Sequence, residues 1–187
     1  MTMNKVFVKR EQDSEPLQHY SIHLNVEPML STIVSGGQTG VDRGALDAAA
    51  AAGIGHGGWC PKGRRAENGR IPADYRLSET PSLRYAERTE WNVRDSDGTL
   101  VLSRGPIRGG TRLTVKLARR YCRPSLVVEL DGTQDAAAVA RWIRESNIGV
   151  LNVAGPRESS HPGIAADARS FVGEIICCGR SRTPAGS

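Results

Sequence analysis

Aromatic side chains are scarce: two Phe, three Trp and four Tyr among 187 residues. A core must come from aliphatic and small side chains, and no aromatic-rich sheet face of the kind that stacks RNA bases can be assembled. Cysteine is equally sparse. Cys60, Cys122 and the adjacent Cys177 and Cys178 contain no Cys-x-x-Cys, and no histidine is spaced to complete a zinc site with them. Reduced thiols are the expectation. His19 and His23 sit four apart, but in a weakly patterned segment, so no metal site is expected. No apolar run approaches the length of a membrane span, and Met1 to Arg10 lacks the apolar stretch of a signal peptide. The expected location is cytoplasmic.

What is present suits one domain with a full core. The chain is 39% hydrophobic, and its formal net charge is +5. The excess of Lys and Arg suits an anionic partner. Without a nucleic-acid motif, a small anionic molecule is the expected one and nucleic acid is not.

Residues 1–28 mix charge, two prolines and short apolar runs, and read as an N-terminal extension, flexible or loosely attached. Val6 to Val8 and Ile22 to Val26 could form short strands. Met29 stands directly before the first ordered-looking strand and is a candidate biological start. From there, strand and helix patterns alternate. Leu30 to Val34, Ile54 to Trp59, Thr99 to Ser103, Ser125 to Leu130 and Gly149 to Ala154 read as strands. Helices are expected over Arg43 to Ala52 with Gly53 closing it, Thr111 to Tyr121 with Thr111 as N-cap, Asp135 to Ser146 with Asp135 as cap, and Gly163 to Ile176. Nearly continuous apolar strands alternating with helices predict a doubly wound, mostly parallel α/β sheet with helices on both faces, a Rossmann-like fold. That domain spans 29–178, and 179–187 read as a flexible tail. An excursion over 60–97 interrupts the alternation with the basic loop "PKGRRAENGR" and a helix expected from Pro81 to about Arg94.

In such a sheet, ligands bind beyond the carboxyl ends of the strands. Three strand-to-helix junctions there are unusual: "SGGQTGVD" from Ser35, "SRGPIRGGT" from Ser103 and "NVAGPRES" from Asn152. Glycine lets backbone N–H groups approach an anion, and a helix N-terminus adds unpaired donors and partial positive charge. Two such termini side by side could hold a phosphate, with Arg43, Arg104, Arg108 and Arg157 adding fork-shaped donors. The cationic Lys62, Arg64, Arg65 and Arg70, flanked by Trp59 and Trp91, suit a flat anionic ligand. A Walker loop is excluded because Val41 follows Gly40 where lysine is required, and the dinucleotide signature Gly-x-Gly-x-x-Gly does not occur at Gly36 to Gly44. Ser35 and Ser103 lie in no nucleophile elbow. His56 and His161 are candidates for base or ligand roles, although lone histidines in loops are more often merely polar. Asp42, Asp95, Asp97 and Glu158 are acids near the expected site, Asp42 as a cap or loop-orienting group.

The stretches "SGGQTGVDRGALDAA", "HGGWCPKGRRAENG", "WNVRDSDGTLVLSRGP", "GGT" and "LNVAGPRES" together resemble the bacterial proteins grouped as molybdenum-cofactor carriers, over Leu30 to Ile176. The resemblance implies a Rossmann-like fold related to the lysine-decarboxylase-like superfamily, which includes nucleotide phosphoribohydrolases. It also implies that Gly36, Gly37, Thr39, Gly40, Gly109, Gly110 and Thr111 line a phosphate site. Gln38, Asp42, Lys62, Arg64, Ser103, Arg104, Gly155 and Arg157 complete the candidate binding set. The phosphoribohydrolases carry glutamates on the helix after their Gly-Gly-x-Gly-Thr. Here "GGTRLTVKLARR" has none, which favours binding over hydrolysis unless Asp42, Asp97 or Glu158 substitutes. The expected function is a molybdenum-cofactor carrier or binding protein. The alternatives are a nucleotide-binding sensor and a nucleotide N-glycosidic hydrolase. A homo-oligomer follows by analogy with the superfamily.

Overall fold

The computed structural model describes residues 30–180. The N-terminal extension, with its candidate strands, His19, His23 and Met29, lies outside them, as does the tail beyond Arg180.

Among the described residues nine strands and five helices follow in chain order. β1 (Thr32–Val34) leads to α1 (Val41–Ala51) and β2 (Gly55–Gly57). The excursion holds β3 (Trp59–Cys60), a 3-10 turn at Lys62–Arg64, β4 (Arg65–Ala66), β5 (Gly69–Arg70), β6 (Ser78–Glu79) and α2 (Tyr85–Arg94). β7 (Gly98–Ser103), α3 (Gly109–Arg120), β8 (Ser125–Glu129), α4 (Ala136–Glu145), β9 (Val150–Ala154) and α5 (Ile164–Arg180) complete it.

β2, β1, β9, β7 and β8 form one parallel sheet in that order. β7 lies inside the sheet and is buried along its whole length, as its uninterrupted apolar run "TLVL" requires. α1, α4 and α5 pack together, while α2 packs on α3. The larger core, including Ile33, Leu100, Leu151, Phe171 and Ile175, lies beneath the first group. Val93, Leu117 and Ala118 form a smaller core under the second. The doubly wound architecture is therefore present.

Several boundaries differ from the sequence expectation, each for a local reason. The second strand stops at Gly57 because Gly58, at φ +123°, turns the chain where a Cβ would lie 2.3 Å from the Ser35 carbonyl. Trp59 and Cys60 then pair with Ser78 and Glu79 in a separate small sheet. α2 starts at Tyr85, not Pro81, because the Ser82 hydroxyl accepts from the Arg84 N–H at 3.1 Å and holds the preceding residues in a turn. α1 begins two residues early, at Val41. α3 begins at Gly109 with Arg108 as its N-cap residue, so Thr111 lies inside the first turn and is no cap. α5 runs on to Arg180, taking in Gly179 from the expected tail. The caps at Gly53 and Asp135 stand as expected. Gly53 adopts φ +67° while the Ile54 N–H returns to the Ala49 carbonyl, and the Asp135 carboxylate accepts from the Ala138 N–H at 2.8 Å.

Candidate functional site

The chain leaves β9 for α5 on one face and leaves β7 for α3 on the other. Adjacent strands that send their chains to opposite faces open a crevice at their carboxyl ends. A cleft of about 620 Å³ lies there, a volume suited to a cofactor-sized molecule. Ser103, Arg104 and Pro106 to Thr111 form one wall and Ala154 to Arg157 another, with Gln38 and Asp42 from the β1–α1 junction and Tyr85 and Arg88 from α2 also lining it.

The three glycine-rich junctions play different parts. At the first, the glycines serve packing. Gly36 lies under the Arg88 guanidinium, where a Cβ would fall 1.7 Å from Nη1. Gly37, at φ +71°, faces Leu77 and Ile71. Gly40, at φ +80°, abuts the Pro156 carbonyl, which also accepts from the Val41 N–H at 3.2 Å. The N-terminus of α1 is thus covered by the chain after β9. Gly155 likewise sits against the Leu102 carbonyl and Val41. At the second junction, Gly105, Gly109 and Gly110 have nothing within 4 Å of a Cβ position, and no side chain caps α3. One open helix terminus faces the cleft, not two side by side.

The arginines divide in the same way. Arg104 is engaged by Asp131 at 3.2 Å, by Asp167 and by the Pro162 carbonyl. Arg157 lies over the Tyr85 ring at 5.1 Å and 3.8 Å from Glu67. Arg108 lines the cleft beside the bare α3 terminus and enters no ion pair. Arg64 is turned inward: its guanidinium donates to the carbonyls of Ile71, Pro72, Tyr75 and Leu77 at 2.7 to 3.1 Å. It staples the excursion and does not line the cleft. Exposed Lys62 does not line it either. Of the candidate set, Gln38, Asp42, Ser103, Arg104, Gly109, Gly110, Thr111, Gly155 and Arg157 meet at the cleft, whereas Gly36, Gly37, Thr39 and Gly40 support it from behind.

The floor is polar and buried. Asp42 Oδ2 accepts from the Gln38 N–H at 3.2 Å and from Arg88 Nη1 at 3.2 Å. Burial pushes the Asp42 carboxyl up from its ordinary range, against the opposing pull of Arg88 and the Gln38 N–H. Gln38 Oε1 accepts from the N–H groups of Thr39 at 3.1 Å and Glu67 at 2.9 Å. Its Nε2 is buried without a partner, as is Nε of Arg88.

The remaining acids serve the scaffold. Asp97 accepts from the Gly149 and Val150 N–H groups at the start of β9. Glu158 holds the N–H groups of Gly163 and Ala165 at the start of α5. Asp95 accepts from the Trp59 indole and pairs with Arg94. The indoles of Trp59 and Trp91 meet edge to face at 4.7 Å, and Arg94 covers Trp91. Neither lines the cleft, so the expected aromatic platform is not there. Tyr85 is the aromatic residue at the cleft.

Sequence reasoning missed Tyr85, Arg88 and Glu67. Tyr85 and Arg88 lie three apart on one helix face, a spacing that could have paired them. Glu67 had no local signal. Its carboxylate takes the Thr39 hydroxyl, the Ser159 hydroxyl at 2.5 Å and Arg157, so it ties the excursion to two junctions. Among the described residues no group of three or more His, Cys, Asp or Glu could hold a metal ion, and no helix is long and apolar enough to cross a membrane.

Fold and cleft define a doubly wound α/β protein with a donor-lined crevice at the topological switch point. Comparison with known proteins narrows this. The chain belongs to the circularly permutated YpsA SLOG family, whose model matches residues 33–176. It is also similar to a crystal structure from Syntrophus aciditrophicus SB, bearing the name "Putative molybdenum carrier protein". The two are 44% identical, the match covers 79% of this chain and 96% of the other, and the TM-score is 0.74. No curated protein matches.

Proposed function

We propose that this protein binds a phosphate-bearing anionic cofactor in the cleft between β7 and β9, with molybdenum cofactor the candidate suggested by the name of the Syntrophus protein. The observation that carries this reading is the N-terminus of α3. Gly109 and Gly110 leave its first N–H groups bare, no side chain caps them, and unpaired Arg108 stands beside them. A phosphate dianion satisfies such donors and the helix dipole together. Molybdenum cofactor is a pterin carrying a dithiolene and a phosphate. The α3 terminus suits its phosphate, and the buried donors of Gln38 and Arg88 suit acceptor atoms on a ring.

The experiment is mass spectrometry, with pterin fluorescence, on the small molecule released from the purified, heat-denatured protein. A pterin phosphate is the expected result. A nucleotide would overturn the carrier reading and favour the second one, a nucleotide sensor or N-glycosidic hydrolase. Asp42 is the observation behind the hydrolase, since it is a carboxyl at the cleft floor that burial pushes above its ordinary range, a setting that suits an acid–base group. Release of free base from AMP, lost in Asp42→Asn, would establish that chemistry.

A further inference from the structure

We propose that Gln38 reads the ring of the ligand, and that it selects a heterocycle presenting an exocyclic oxygen over one presenting an amino group there. This rests on the reading of the cleft as a phosphate site, and adds what lies at the other end of the ligand.

Gln38 lines the cleft and is 3% exposed. Its amide orientation is fixed, because Oε1 accepts from two backbone N–H groups, those of Thr39 and Glu67. A carbonyl oxygen can fill that position and an NH2 group cannot. The NH2 group therefore faces away from both, and there it has no partner. Buried donors are ordinarily satisfied, and this one belongs to a residue of the cleft wall, so a ligand seated against Gln38 is what can complete it. Glu67 makes the arrangement rigid. Its backbone N–H holds Gln38, while its carboxylate holds Thr39 and Ser159.

The surrounding atoms give the polarity of the missing partner. Arg88 Nε is a second buried donor without a partner, and Arg88 also lines the cleft. The neighbouring acceptor, Asp42 Oδ2, already takes the Gln38 N–H and Arg88 Nη1. A ring amino group would meet donors, whereas a ring oxygen would satisfy them. The 2-amino-4-oxopyrimidine ring shared by pterins and guanine presents such an oxygen, and adenine presents an amino group at the corresponding place.

Calorimetric titration of the full chain tests this with three probes: GMP, AMP and ribose 5-phosphate. The wild type should bind GMP about ten-fold more tightly than AMP, the discrimination expected when one hydrogen bond is kept or lost. Gln38→Glu keeps the Oε1 acceptor and replaces the donor, and should abolish or invert the preference. Gln38→Met should abolish it. Ribose 5-phosphate affinity should stay within about two-fold in all three proteins, with thermal unfolding reporting separately that each variant is folded. No preference for GMP, or a preference that survives both substitutions, would overturn the role of Gln38. Loss of ribose 5-phosphate binding in both folded variants would assign Gln38 to the phosphate instead of the ring. If the wild type bound none of the probes, the phosphate reading of the cleft would itself fail, and this inference with it.

Discussion

Replacing Gly40 with alanine should unfold the protein more easily, while the same change at Gly110 should not. At Gly40 the backbone holds φ +80° and ψ −134°, a region open almost only to glycine. A Cβ there would lie 2.4 Å from the Pro156 carbonyl oxygen and 2.7 Å from the Glu158 nitrogen, both backbone atoms that cannot swing aside. Strain of about 1–3 kcal/mol and overpacking of similar size sum to about 4 kcal/mol at the middle of the range. For a domain of this size that lowers Tm by roughly 8–16 °C. At Gly110 nothing lies within 4 Å of the added methyl and φ is ordinary. The substitution should raise stability by about 0.5 kcal/mol, through lost freedom in the unfolded chain and better helix propensity. Its cost should fall on binding, since the methyl projects over the bare α3 terminus. Thermal and urea unfolding, read beside a titration with ribose 5-phosphate, separate the two effects. A Gly40→Ala protein melting within about 2 °C of the wild type would refute the packing role of the first junction. A Gly110→Ala protein as unstable as Gly40→Ala would refute the openness of the second.

Further substitutions divide along the same line. Gly110→Asp places a negative charge at the α3 terminus and should weaken ribose 5-phosphate binding at least about ten-fold without loss of Tm; unchanged affinity in titration would exclude that terminus as the phosphate site. Arg64→Ala removes four bonds to carbonyls and should cost about 3 kcal/mol by urea unfolding, leaving the salt dependence of ligand affinity unchanged; a reduced salt slope would return Arg64 to the ligand. Glu67→Gln should flatten the acid limb of stability. Burial pushes Glu67 up, but hydrogen bonds from Ser159 and Thr39 and the charge of Arg157 outweigh it, so its folded pKa lies below the ordinary 4.5. The ionised form thus contributes stability that is fully present above the unfolded value and lost as pH falls through the folded one. Urea midpoints below about pH 4.5 should decline more steeply in the wild type than in the variant, and parallel slopes would contradict the role assigned to Glu67.

The long elements were legible because their signals are local. "TLVLS" is a continuous apolar run, and it forms the strand buried along its whole length. Asp135 precedes an amphipathic helix and caps it. The excursion was not legible, because its order comes from single side chains meeting across sequence. Arg64 looked like free charge in "PKGRRAENGR". Yet a segment with two-residue strands leaves many carbonyls without ladder partners, and one guanidinium with several donors satisfies four of them. Charge density was visible, but the carbonyls that claim it were not. Arg88 and Glu67 hold the cleft residues Asp42 and Gln38 from the same segment by contacts spanning 46 and 29 residues. No periodicity reports contacts of that kind.

Glycine content likewise could not say which junction is the cradle, but the sheet topology can. β1 and β9 are neighbours, and both send their chains to the same face, where α1 and α5 pack against each other. Their loops must then cross at close range, and the crossing uses up their bare backbone, Gly40 against Pro156 and Gly155 against Val41, while within the helices Gly44 of α1 meets the Ala165 carbonyl of α5. β7 sends its chain to the other face. Its loop has no such neighbour, so Gly105, Gly109 and Gly110 keep open space beside them. In a doubly wound sheet, a glycine-rich loop paired with one bound for the same face closes a helix pair, and a loop bound for the opposite face is left to meet a ligand. The same reasoning puts Gln38 where it is. It stands on the sealed side of the crevice, buried by the crossing of the two loops, with only its amide NH2 group still lacking a partner.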